Sequence, residues 1–160
     1  MPDFHPLSWA TPTDHAELAD AMFDAVRNGP SKYRQAQRAA WDPVRRSGAE
    51  WESRLAAKDI AIGRDGIRIL GFMSIEDGGY IDFAFTRPEA QGSDLFRRLF
   101  ELVQERARAA DEPRLWVHAS LMAQSAFAAV GFSVVEHQIV QIGDQDFKRA
   151  MMEKPLVIAV

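Results

Sequence analysis

A chain of 160 residues, 47% hydrophobic and 26% charged, has the size and balance of one soluble globular domain with a single core. Its 19 Lys plus Arg against 23 Asp plus Glu leave a formal net charge of -4 with no basic block, which argues against nucleic acid as a partner. Cysteine is absent, excluding disulfides and thiolate chemistry, and the N-terminal residues show neither a basic-then-apolar leader nor the roughly 20 apolar residues of a membrane helix, so cytoplasmic residence is expected.

Leu7 to Ala10 reads as a short strand. Pro12-Thr13-Asp14 then sets a helix start, with Asp14 as N-cap and Glu17 three positions on; Leu18, Met22, Ala25 and Val26 recur at helical spacing until Asn28-Gly29-Pro30 stops it. Ser31 is placed to cap a second helix with Tyr33, Gln37, Ala40 and Trp41 along one side, ended by Asp42-Pro43. Ser47 to Ala57, with Trp51 and Leu55 four apart, is a third short helix. From Ile60 the period changes to that of an antiparallel meander of three strands, punctuated by Asp65-Gly66 and Gly78-Gly79 and ending in Tyr80 to Thr86.

After Arg87-Pro88 and a polar turn around Gly92, Leu95, Phe96, Leu99, Phe100, Val103 and Ala107 share one face of a long amphipathic helix. Arg114 to Ser120 reads as a buried strand, Leu121 to Val130 as a short helix ended by Gly131, and Phe132 to Gln141 and Phe147 to Met152 as further strands. The strand-helix-strand passage from Tyr80 to Ser120 implies one parallel pair. The expected fold is α/β, one domain over residues 1–160, with a mixed, mostly antiparallel central sheet of about six or seven strands flanked by helices.

Tyr80 to Ala110 holds the chemical interest. The first turn of a helix leaves backbone N–H groups unpaired and carries partial positive charge, which suits an anion such as pyrophosphate, and Gly92 lets the backbone approach it closely.

With these elements in this order, the chain resembles the GNAT superfamily, the Gcn5-related N-acetyltransferases, over almost its whole length. The family's cofactor loop reads Gln or Arg, two residues, Gly, one residue, Gly or Ala, and falls here on Thr86 to Phe96. Gln91 and Gly92 match, while Asp94 stands at the second glycine and Phe96 at the third small position. The later family motif is similar to Val117 to Phe132, with Ser120, Ala123, Gly131 and Phe132 in place, and the closing Met152-Glu153-Lys154-Pro155-Leu156 is similar to many members. Tyr33, Gln37 and Trp41 are similar to a bacterial subgroup of unassigned substrate.

The resemblance implies direct transfer of an acetyl group from acetyl-CoA to a primary amine in a ternary complex, without a metal. It puts Phe85, Thr86, Gln91, Gly92, Ser93, Asp94, Leu95, Phe96, Arg97 and Ser120 around acetyl-CoA. Tyr33, Trp41, Tyr80 and Asp82 fall on the acceptor side, for a small-molecule or peptide amine; the chain's modest acidity leans toward a cationic acceptor. A strand edge near Phe132 to Val140 is compatible with a homodimer.

Attack on a thioester needs a neutral amine, while an amine of pKa near ~10.4 is charged at neutral pH, so a base is required. Asp82, Glu89 and His118 are the candidates, each with a structural alternative: an ammonium anchor or surface residue, a helix-start charge, and a hydrogen-bonded core histidine. Many members use a Tyr as proton donor where this chain has Phe127, leaving Ser120 or Ser125 with water. Asp94 either opposes a pyrophosphate or, like Ser93, caps the helix. Asp94 and Phe127 together motivate an alternative, a catalytically degenerate acyl-CoA-binding module. His5, His15 and His137 lack ligand spacing.

Overall fold

The computed structural model describes residues 6–29 and 31–156, which leaves His5 and Pro30 outside the described residues. Among the described residues five helices, α1 (His15–Asn28), α2 (Gln35–Trp41), α3 (Gly48–Ala56), α4 (Leu95–Ala109) and α5 (Gln124–Ala129), pack on eight strands. The strands are β1 (Leu7–Trp9), β2 (Asp59–Arg64), β3 (Ile69–Ile75), β4 (Tyr80–Ile81), β5 (Ala84–Thr86), β6 (Arg114–Ser120), β7 (Ser133–Ile142) and β8 (Gln145–Pro155). They form two sheets of four, in the orders β1-β2-β3-β5 and β4-β6-β8-β7. The mixed, mostly antiparallel α/β architecture expected from the sequence is present, including its one parallel pair, β4 with β6.

The two sheets part at a break in the expected Tyr80–Thr86 strand. β4 ends at Ile81 and β5 begins at Ala84, and the buried Ser74 hydroxyl accepts the N–H groups of Asp82 (3.2 Å) and Phe83 (2.8 Å) in place of ladder bonds. Phe83 then turns inward against Trp51 and Phe72. A single hydroxyl thus satisfies two buried amides that a break would otherwise leave orphaned.

Two apolar clusters hold the layers. One joins α4 to the sheets through Leu95, Leu99, Phe100 and Val103, with Val117, Ala150 and Met152; the other joins α1 and α3 to the first sheet through Leu18, Met22, Trp51, Leu55, Ile62 and Phe72. β3 is buried along its whole length because it runs between the layers. α4 comes close to the sheet over glycine: a methyl at Gly63 would stand 2.5 Å from Leu95 Cδ1, and one at Gly71 3.0 Å from Leu95 Cδ2. That approach sets where the α4 N-terminus sits.

Three local expectations are corrected. The Asp14/Glu17 box is replaced by a 3-10 turn, Pro12–Asp14, in which Asp14 Oδ2 accepts the Thr11 N–H at 2.8 Å; Glu17 instead accepts the Ile69 N–H at 2.6 Å and pairs with Arg64. The second helix starts at Gln35, so Tyr33 precedes it, and Gln37 Oε1 caps the Arg34 N–H at 2.7 Å. The last strand runs well past Phe147 and Met152 at both ends. The first change follows from a long-range partner, the Ile69 N–H, overriding a local signal.

Candidate active site

The turn after β5 is stitched by its own side chains. Gln91 Nε2 donates to the Thr86 carbonyl at 2.9 Å, and a 3-10 turn, Pro88–Ala90, carries the chain to Gly92, whose φ of 76° suits glycine. Ser93 Oγ donates to the Ala90 carbonyl at 2.6 Å and accepts the Leu95 N–H at 3.3 Å, capping α4. A Cβ at Gly92 would meet no atom within 4 Å, so the backbone there fronts open space. That space continues into a cavity of about 300 Å³ lined by Trp41, Phe85, Thr86, Gly92, Phe96 and Ser120, among others.

Of the residues expected at the cofactor, Phe85, Thr86, Gln91, Gly92, Ser93, Phe96 and Ser120 line this one cavity. Leu95, Asp94 and Arg97 lie outside the lining: Leu95 is buried in the core under α4, and the Asp94 carboxylate turns to Arg97, with Nε to Oδ1 at 2.9 Å. That hydrogen bond holds the Asp94 carboxyl below its usual range, and Arg97 also pairs with Glu101. Asp94 makes no capping bond from its side chain, so the first-turn amides of α4 are not taken up by the carboxylate. Phe96 packs edge-on against Phe127, which is buried between Phe96 and Phe132.

Alternation along β6 builds the other side. Leu115, Val117 and Ala119 are buried, leaving Arg114, Trp116, His118 and Ser120 on the opposite face. Tyr80 pairs with Trp116 across the parallel ladder, ring centroids 4.3 Å apart, and its hydroxyl lies 3.1 Å from His118 Nδ1. Burial, aided by the charge of Arg149, lowers the His118 pKa; burial, with the charge of Asp82, raises that of Tyr80. At neutral pH the imidazole is therefore uncharged and the phenol protonated. Tyr80 and His118 share one hydrogen bond, and in the tautomer whose Nδ1–H donates to the Tyr80 oxygen, Nε2 keeps a free lone pair. Ser120, two residues along the same face at about 7 Å, borders the cavity, and His118 stands outside its lining.

Asp82 sits at the strand break inside an ionic cluster, 3.3 Å from Lys58 Nζ and 3.4 Å from Arg54 Nη2. Both cations stand over the Phe83 ring. Trp41 lines the cavity, whereas Tyr33 is a strut: its hydroxyl donates to the Lys148 carbonyl at 2.6 Å and accepts the Leu121 N–H at 3.0 Å. Glu89 pairs with Arg68 on the surface, and His15 with Glu52. Arg54, Lys58 and Arg149, absent from the sequence-derived site, reach it through a helix end and cross-strand register, for which the chain carries no local signal. Among the described residues no helix is long and apolar enough to cross a membrane.

The family model for the acetyltransferase (GNAT) domain matches residues 30–149. The chain belongs to the GNAT acetyltransferases, a family of acyl-transferring enzymes. Its structure is similar to that of a GCN5-related N-acetyltransferase from Rhodopseudomonas palustris, with 24% identity, a TM-score of 0.89 and 98% of each chain covered. It is similar also to a GNAT superfamily phosphinothricin acetyltransferase from Sinorhizobium meliloti in complex with acetyl-CoA, at 16% identity and a TM-score of 0.72, covering 95% of this chain and 88% of that one. A third similar structure is yncA from Salmonella typhimurium with its cofactor acetyl-CoA, at 17% identity and a TM-score of 0.67, covering 98% and 96%. No curated protein sequence matches the chain.

Proposed function

We propose that the protein moves an acetyl group from acetyl-CoA to a primary amine by direct transfer in a ternary complex, and that it works in the cytoplasm. The observation that carries this reading is the cavity running from the α4 N-terminus, past the β5 edge, to Ser120. The α4 amides and Gly92 hold the pyrophosphate, and the two similar structures described with acetyl-CoA support that donor. His118 is the base, accepting a proton from the acceptor ammonium directly or through one water. The neutral nitrogen then attacks the thioester carbonyl carbon, the C–S bond breaks, and the proton that the nitrogen sheds passes through water ordered by Ser120 to the departing thiolate, while the proton held by His118 returns to solvent. Asp82, already neutralised by Lys58 and Arg54, acts on charge balance rather than as the base.

One observation favours a second reading. The family's usual phenol is replaced by Phe127, sealed between two rings, as a binding module without turnover would allow. Calorimetry with acetyl-CoA, followed by free-thiol release over an amine panel, separates the two. Binding with turnover is the expected result, binding without turnover on any amine would favour the module, and no binding would remove both. A homodimer through β7, an outer strand with Val134, Val135 and Ile139 exposed, belongs to the same proposal and is checked by light scattering.

A further inference from the structure

Residues directly opposite in an antiparallel pair share a face of the sheet. By the register of the second sheet, Ser120, Arg149 and Gln138 form one row across β6, β8 and β7, and His118, Met151 and Glu136 form the next. Arg149 therefore stands beside the residue that borders the acetyl-CoA cavity and one row from the proposed base. Its environment is unlike that of Arg54, Lys58, Arg97 and Arg114. Arg54 and Lys58 are matched by Asp82, Arg97 by Asp94, and Arg114 by Glu153. Half-buried Arg149 donates from Nε to the neutral Gln138 Oε1 at 2.9 Å, and among the described residues it has no carboxylate partner.

A second cavity adjoins it where β6 gives way to α5. Its lining holds Arg149, Lys148, His137, Gln138 and Gln124, with no carboxylate. A guanidinium paired only with an amide keeps donors for a planar anion, the geometry in which Arg binds carboxylate bidentately. The chain's net charge of -4 leans toward a cationic acceptor, but what a ligand meets is the charge within a few ångströms, screened least where burial is greatest.

Resting on the N-acetyltransferase reading above, we propose that the amine acceptor carries a carboxylate, as a free amino acid does, and that Arg149 binds this carboxylate so that the α-amine faces His118 and the thioester near Ser120. Arg149 is then a specificity-determining residue for the acceptor. It contributes nothing to the donor.

The test measures free-thiol release with free L-amino acids and with the corresponding α-amides, for the full chain and its Arg149→Gln and Arg149→Lys variants, alongside calorimetry with acetyl-CoA. The wild type is expected to favour acids over amides in kcat/KM by on the order of 10- to 100-fold. Arg149→Gln should abolish that preference through the KM of the acid while leaving acetyl-CoA affinity, and hence the fold of its site, unchanged; Arg149→Lys should retain part of it. Equal or better turnover of amides by the wild type would overturn the assignment and leave the N-acetyltransferase standing. So would a proportional loss on acids and amides in Arg149→Gln, or weakened acetyl-CoA binding. Absence of thiol release with both sets would overturn the assignment and the activity together.

Discussion

The proposed donor side of the cleft is built mainly from one continuous stretch, Thr86 to Phe96, whose strand end, turn and helix start border a single cavity. The proposed acceptor side instead gathers Tyr80, Asp82, His118 and Arg149 from β4, the strand break, β6 and β8. The first is a backbone device: its donors are amides positioned by a turn and a helix start, so Asp94 and Phe96 stand where the family has small residues without closing the space in front of Gly92. The second is a side-chain device. It depends on sheet register, where a slip of one residue would send His118 and Arg149 to the opposite face. Loop substitutions on the donor side should therefore act gently, and single side-chain changes on the acceptor side sharply.

The largest effect expected is that of His118→Gln on the acceptor side. Removing a general base should lower kcat by on the order of 100- to 1,000-fold while acetyl-CoA binding by calorimetry is unchanged. The wild-type pH profile carries a linked signature. The His118 pKa is lowered from 6.5, so its neutral, active form persists below that pH, and the acid limb of kcat/KM should have its midpoint below 6.5 and vanish in the variant. A midpoint above 6.5 would point to another base.

Tyr33→Phe is expected to have an intermediate effect, on stability. Its hydroxyl ties the chain before α2 to the Lys148 carbonyl and the Leu121 N–H, and losing both bonds should cost about 1–2 kcal/mol in denaturant unfolding. A cost near zero would mean that water replaces the hydroxyl and that the two sides are not joined there.

The smallest effect belongs to the donor side. Asp94→Gly removes an exposed charge near the pyrophosphate position and releases Arg97 from one of its two carboxylate partners. Acetyl-CoA should bind roughly two- to tenfold more tightly at low salt, the gain shrinking as ionic strength rises. Unchanged calorimetric affinity would show that the Arg97 pair already cancels the carboxylate.

Much of this architecture was legible along the chain because its causes are local. Period changes marked the strands and helices, and Gln91, Gly92 and Ser93 announced the turn before α4 because a short-range hydrogen-bond pattern and one positive φ are enough to build it. Where local signals misled, a distant group had intervened. Glu17 was drawn from a cap to the Ile69 N–H, and Tyr33 was held out of α2 while its hydroxyl bridges segments about ninety and more residues away.

By itself, then, the sequence determined the order of elements, the mixed sheet and the turn before α4, since periodicity, punctuation and capping act over a few residues. Tertiary structure alone decided that the strand after Gly79 splits at Asp82, because only the fold brings Ser74 Oγ to the two freed amides. It alone set Tyr80 against His118 and left Arg149 facing a neutral amide in the row beside Ser120. Those pairings depend on strand register, which packing of the whole sheet selects and no short stretch of chain specifies.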